Sequence, residues 1–295
     1  MKKIKNILVA AVAAVALVSC SKDDKKEEKP VTPPEAPKTV AEQKVDTYIV
    51  RLQSPTGTFV MGYNEVSLSV VDAAGKEVAV EAATFTPWMD MFKGDDRGGF
   101  SKEIMHTHTC PHTALAKEGN VWHSKVLFQM KTAPSGVWFA KVTFKVGGKE
   151  YKTDRLDFEV KPQTNKALGT VNRFVLFTEG GDSKGQPHFY AVVAPEQPKV
   201  GENNFVLGIW KKETMENFPE VENLIVDVAV KEKGKTTPLS TTTLTYQNGL
   251  YHGKITYPKA GAYSLVYTLK KATGEPIQPK DHKGTDTTIA TEIQF

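Results

Sequence analysis

Short runs of alternating apolar and polar residues, broken by Gly, Pro, Asn and Asp, fill the chain from residue 46 onward. Asp46 to Leu52 is apolar and branched and stops at Ser54-Pro55. Asn64 to Val71 alternates and meets the turn Asp72-Ala73-Ala74-Gly75. Glu77 to Phe85, Asn120 to Met130 and Val137 to Val146 read as further strands, the last ending at Gly147-Gly148. Val171 to Phe177 and His188 to Val193 read as a hairpin across Gly180-Gly181-Asp182-Ser183. Period-two runs at this spacing predict antiparallel sheets packed face to face. No amphipathic helix stands out; Glu213 to Phe218 has the length of one short turn.

The second half repeats the first. Gly62-Tyr63-Asn64-Glu65-Val66 corresponds to Gly201-Glu202-Asn203-Asn204-Phe205. Asn120-Val121-Trp122-His123 parallels Gly249-Leu250-Tyr251-His252, and Gly136-Val137-Trp138 parallels Gly261-Ala262-Tyr263. Two copies in one order predict an all-β chain of two tandem immunoglobulin-like antiparallel β-sandwiches. The boundary falls between Lys161 and Gly169, where Pro162, Asn165 and Gly169 interrupt the strands. The matching places of His123 and His252, each beside an aromatic residue, point to a shared structural role. His188 and His282 read as solvated.

The N-terminus has a different character. Met1-Lys2-Lys3-Ile4-Lys5 is basic, and Ile7 to Val18 is apolar but too short to span a bilayer as a helix. Leu17-Val18-Ser19-Cys20 resembles the lipobox of bacterial lipoproteins. That resemblance implies cleavage before Cys20, lipid on its sulfur, and a place in the cell envelope, anchored to a membrane. The chain then divides into a signal peptide (1–20), a flexible tether of mixed charge and proline (21–44), a first sandwich (45–162) and a second (168–295). The tether holds too little apolar surface to offset the entropy of ordering it. The formal net charge of +4 is scattered as single lysines, which gives no surface for nucleic acid. With Cys20 lipidated, Cys110 is the one remaining thiol and no intramolecular disulfide can form.

Candidate chemistry gathers in one stretch: Pro87-Trp88-Met89-Asp90-Met91, then Met105-His106-Thr107-His108-Thr109-Cys110-Pro111-His112. Thioether and thiolate are soft ligands that with imidazole favour Cu(I); Cys with His also serves zinc. Met89 and Met91 share one face of a strand, and His106, His108, Cys110 and His112 share one parity. Same-face neighbours lie about 7 Å apart and His106 to His112 would span about 20 Å, so no single ion reaches all four. The turn at Gly94 to Gly99 brings the segments alongside. The favoured set is Met89 and Met91 with His108 and Cys110, His106 being an alternate ligand. The second copy has Leu224 to Val230 and then Lys231-Glu232-Lys233-Gly234-Lys235 in this place, with no Met or His. The sandwich therefore does not need the cluster. The competing reading has the methionines filling core gaps and the histidines on a polar loop.

The stretch also resembles small secreted β-sandwich domains of the YtkA-like and FixH-like kind, related in architecture to periplasmic copper carriers of the CopC type. The resemblance rests on Pro87-Trp88-Met89-Asp90-Met91, His108-Thr109-Cys110-Pro111 and Gly136-Val137-Trp138. It covers most of residues 46 to 160 and, more faintly, 170 to 295. The closeness of His106, Cys110 and His112, and a second copy without ligands, depart from the pattern. The resemblance implies copper handling, with a metal ion and an envelope copper protein as partners and no enzymatic activity. Blue-copper spacing fails, because only Pro111 separates Cys110 from His112. No phosphate loop, dinucleotide fingerprint or zincin motif appears. A second class of function remains: tandem sandwiches presenting loops to a protein or glycan.

Overall fold

The computed structural model describes residues 36–95, 98–177 and 185–295. The leader, Cys20 and the tether as far as residue 35 lie outside the described residues. The first sandwich contains β1 (Lys38–Val45), β2 (Tyr48–Ser54), β3 (Phe59–Val60), β4 (Gly62–Asp72), β5 (Ala82–Gly94), β6 (Phe100–Thr109), β7 (Ala116–Glu118), β8 (Val121–Phe128), β9 (Gly136–Val146), β10 (Lys149–Phe158) and β11 (Val160–Lys161). One sheet runs β1-β2-β4-β8-β7 and the facing sheet β10-β9-β5-β6, with β3 and β11 pairing in parallel at the end. The inward positions of both sheets, among them Leu52, Leu68, Phe128, Trp138 and Phe144, are fully buried and make one core.

The second sandwich contains β12 (Asn172–Leu176), β13 (Gln186–Ala194), β14 (Gly201–Lys211), β15 (Leu224–Glu232), β16 (Ser240–Gln247), β17 (Leu250–Tyr257), β18 (Ala262–Lys271), β19 (Pro276–Ile277) and β20 (Ile289–Gln294). Its order, β12-β13-β14-β17-β16-β15-β18 with β19 and β20 on β18, follows that of the first copy, with β16 standing where the first has β7 and β6 and with no counterpart of the β3–β11 pair. The chain is all-β, with no helix among the described residues; within Glu213 to Phe218, Glu213 to Glu216 form a run of bends. β1 takes in residues 38–44, which the sequence assigns to the tether. Its Val40, Ala41 and Val45 pack on the core, a weak apolar pattern diluted by Lys and Glu.

The repeated Gly-x-Asn opens β4 and β14 in the same way. The Asn64 amide donates to the carbonyls of Val60 at 2.7 Å and Gly62 at 3.0 Å, and its oxygen accepts from Val60 N at 2.9 Å. Asn203 does the same with Lys199 and Gly201 at 2.7, 2.9 and 3.0 Å. Gly62 at φ 91° and Gly201 at φ 90° adopt a backbone conformation that a side chain resists. A Cβ on Gly62 would also meet the Leu168 carbonyl oxygen at 1.8 Å, so this glycine lets the inter-sandwich linker close on β4. His123 and His252 hold the same register, opposite Ser67 on β4 and Val206 on β14.

The two copies share a buried seam. Leu127 of the first packs with Phe189, Ala191, Trp210, Phe218 and Leu250 of the second, and Tyr63 lies against Trp210. Lys125 crosses to Glu220 at 2.6 Å and to the Asn248 carbonyl. β13 is therefore covered on both faces: Phe189 and Ala191 face the seam, while Tyr190 and Val192 face their own core. That corrects the expectation for His188, which is 4% exposed and stacked on Phe174 rather than solvated. Of the four tryptophans, Trp138 and Trp210 are fully buried and Trp88 and Trp122 half-buried.

The copies differ at one corner. In the second, β16 serves both sheets: Ser240 to Leu244 pair with β15, and Thr245 to Gln247 with β17. In the first, the same path is split. β6 pairs with β5, the chain crosses between sheets at Cys110-Pro111-His112, and β7 pairs with β8. The crossing is pinned by Leu127 N donating to Pro111 O at 2.8 Å and Thr113 N to Lys125 O at 3.0 Å. β15 stops at Glu232, opposite Tyr263, whereas β5 runs past Met89, opposite Trp138, as far as Gly94. The first copy thus carries a hairpin arm that its twin lacks.

Candidate metal centre

The arm is β5 and β6, joined at a turn in which Asp95 N donates to Gly99 O at 2.9 Å and Asp95 Oδ1 accepts from Gly99 N at 2.7 Å. β6 is the free edge of its sheet. Its register sets Met89 directly opposite His108 and Met91 directly opposite His106. Cross-strand partners project to the same face with Cβ atoms about 4.5–5.5 Å apart. The alternation that buries Phe85 and Met89 carries Met91 onto the same face, so two thioethers and two imidazoles form a square.

The square grades from core to solvent. Met89 is 1% exposed, Met91 and His108 are half-buried, and His106 is exposed. The two imidazole rings lie 5.8 Å apart and slightly tilted, and His108 also meets Trp138 edge-on at 6.0 Å. His108 Nδ1 lies 3.1 Å from its neighbour's carbonyl, Thr109 O. Donation there would leave Nε2 as the free ligand atom. Gly136, on β9 opposite Met91, brings the thioethers together. A Cβ there would stand 2.8 Å from the Met89 methyl and 2.9 Å from the Met91 sulfur, so both side chains converge over a bare Cα.

The opposite face of the arm holds the register. Asp90, between the two methionines, is 3% exposed. It accepts from Thr107 Oγ1 at 2.6 Å, its cross-strand partner between the two histidines, and from Arg155 at 2.7 Å. Arg155 lies over Phe139 at 4.3 Å and also pairs with Asp157 at 2.8 Å. A buried carboxylate bonded on both oxygens resists slippage, and a slip by one residue would turn the histidines away from the methionines. The second copy has a similar trio at a different place, Asp227 with Thr243 at 2.5 Å and Lys270 at 2.6 Å, and the position equivalent to Asp90 is Lys233.

Cys110 and His112 follow the square at the crossing between sheets, Cys110 in the same buried core as Met89. Cys110 is fully buried in the core of the first sandwich. Burial pushes its thiol well above the ordinary range, so it is held as the neutral SH. The register sets His106, not Cys110, across from the methionine pair. His112 is 2% exposed at the sheet crossing, with Nδ1 2.8 Å from the Cys110 carbonyl and its ring 5.5 Å from Phe218 across the seam. Burial lowers its pKa, against the opposing pull of the Cys110 carbonyl and Glu216. Met105, on β6, is 60% exposed.

Among the described residues no three His, Cys, Asp or Glu side chains converge as a metal-binding group, so a centre here depends on the thioethers. Two thioethers with two imidazoles form a soft, neutral donor set that suits Cu(I). Sequence reasoning missed Gly136 as the packing partner of the Met pair, and Asp90, Thr107 and Arg155 as the lock behind it. The signal for Asp90 was a carboxylate alternating with two methionines, which must face the other side of the strand and find partners there.

No family model matches this chain, and no curated protein matches it. Among solved structures it is similar to FdeC, a broadly conserved adhesin of Escherichia coli, at 12% identity and a TM-score of 0.21. The match covers 81% of this chain and 65% of that one, under two thirds of its length. A likeness of that size bears on neither site nor activity.

Proposed function

We propose that this chain is an envelope lipoprotein that binds a soft transition metal, copper in the first place, and buffers it or delivers it to an envelope copper protein. The observation that supports the reading is the register of β5 against β6, with Met89 opposite His108 and Met91 opposite His106. Thioethers need no deprotonation to bind, so this set favours Cu(I) over zinc, which draws on thiolate, imidazole and carboxylate. Cys110 adds a thiolate only at the cost of ionising a fully buried thiol. The graded exposure suits capture at His106 and retention at Met89. The reading has no catalytic step, and lipid on Cys20 would supply the membrane anchor. Its test is copper per chain, by elemental analysis of protein from copper-supplemented cells, for the unaltered chain and for His106→Ala/His108→Ala. About one copper per chain, lost in the variant, is expected; equal content in both overturns the assignment.

A second reading, a protein-contact module, draws on a separate feature. Phe100, Ile104 and Met105, exposed by 46, 51 and 60%, lie on β6, whose outer edge pairs with no strand among the described residues. Unpaired edges and exposed apolar side chains are where other chains dock. A chain that holds no copper but is captured by a partner through these residues would move the function to this reading.

A further inference from the structure

The pairing of β5 with β6 is not continuous. Met91 faces His106, but the next residue, Phe92, faces Ile104, and the pairing then jumps to Gly94 with Phe100. Met105 is therefore an extra residue without an opposite number, and together with His106 it stands across from the single step between Met91 and Phe92. This is a β-bulge, a device that re-aims a side chain and recurs beside functional sites. The corresponding hairpin of the second copy, β15 with β16, pairs without a break from Val226–Leu244 to Val230–Ser240 and ends before that level. The bulge thus belongs to the arm that carries the methionines and histidines, and sits at its solvent end. The residue it frees is a thioether, 60% exposed, adjacent in sequence to the most exposed imidazole of the square. A bulge as an edge guard would be served by any polar side chain; an exposed methionine costs solubility without aiding that role.

We infer that Met105 is a third thioether ligand, which with His106 and Met91 captures a soft d10 ion at the mouth of the arm before it passes inward to Met89 and His108. The inference rests on the metal-binding reading and adds to it a residue and an entry route. The transfer is ligand exchange on an ion that stays d10, so no redox change is required, and thioethers and neutral imidazoles bind it without releasing a proton.

The test uses residues 21–295, which retain the whole compact unit 36–295, with the methionine methyls labelled with carbon-13. Ag(I), a redox-inert d10 probe, is titrated and each methyl followed by NMR. Met215, 42% exposed on the second sandwich, is the internal control. The expected result is that the Met105 methyl shifts at the lowest Ag(I) additions, with Met91 and Met89, while Met215 stays in place. Met105→Leu should then weaken Cu(I) binding roughly three- to tenfold in a competition titration, with thermal unfolding unchanged because the side chain is exposed. A Met105 methyl that stays still while Met89 and Met91 shift overturns this inference and leaves the parent reading standing. A chain on which no methyl shifts overturns both. Equal Cu(I) affinity of Met105→Leu and the unaltered chain, beside a weakened Met91→Leu, also overturns the role given to Met105.

Discussion

The two sandwiches are close to a controlled comparison made within one chain. They share a strand order, a Gly-x-Asn entry with the same three hydrogen bonds, and a histidine at the same register of the strand beside it. They differ where β16 carries one continuous strand between sheets and the first copy spends the same path on an arm, a crossing and a short strand. The fold thus survives with or without the arm, and the arm concentrates the soft ligands. What the fold requires is repeated; what it does not require appears once.

The largest expected effect probes whether the copies are separable at all. Trp210 is fully buried on the seam with Leu127 and Tyr63. Trp210→Ala should cost about 3–5 kcal/mol, measured by denaturant unfolding. Because the seam joins the copies, a probe on the first sandwich should register the loss as well. A transition confined to the second sandwich would show that the copies unfold independently. Residues 168–295 alone would leave this seam open to water, which bears on the expectation that the second copy stands as a separate domain.

Next comes a glycine in each copy. Gly136 and Gly261 open the same strand. A Cβ on Gly136 meets Met89, Met91 and the Asp90 carbonyl within 2.9 Å, whereas on Gly261 its nearest neighbour is Tyr263 at 3.8 Å. Gly136→Ala should cost about 1–3 kcal/mol through overpacking and spread the two thioethers, while Gly261→Ala should be near neutral. Equal melting temperatures for the two variants would contradict the packing assigned to the Met pair.

The smallest effect is a pH dependence with one source in each copy. Burial lowers the pKa of His112 in the first sandwich and of His188 in the second below the ordinary 6.5. The unfolded chain then takes up the protons first as pH falls, so the stability from neutral burial is present above about 6.5 and is lost below it. Melting temperature should drop between pH 7 and pH 5. His112→Gln and His188→Gln should each flatten that drop, and slopes unchanged by either variant would show that the histidines are not its cause.

The repeat was legible because its marks are local: a glycine that must take positive φ, an asparagine two residues later, and alternating strands. The Met and His cluster was legible for the same reason. Register was not. Parity put His106, His108 and Cys110 on one face, but only the pairing of β5 with β6 decides which two stand across from Met89 and Met91, and that pairing is fixed by Asp90, Thr107 and Arg155, the last from a distant strand. The burial of Cys110 and His112 was not legible, because sequence spacing cannot show a crossing between sheets. His188 looked solvated because its cover, the ring of Phe174 across the strand pair, shows only in the register of β12 with β13. β1 escaped notice because its lysines and glutamates continue the composition of the tether, while only Val40, Ala41 and Val45 reach the core.

The central claim is that the arm of the first sandwich, through its methionine pair, is a soft-metal site. The most direct measurement is a Cu(I) competition titration of the unaltered chain against Met89→Leu/Met91→Leu. Leucine nearly conserves the volume, so the fold should survive at a cost below about 1.5 kcal/mol per site. The account predicts an affinity lower by at least roughly tenfold in the variant with unfolding little changed. Equal Cu(I) affinity in both folded proteins would contradict it.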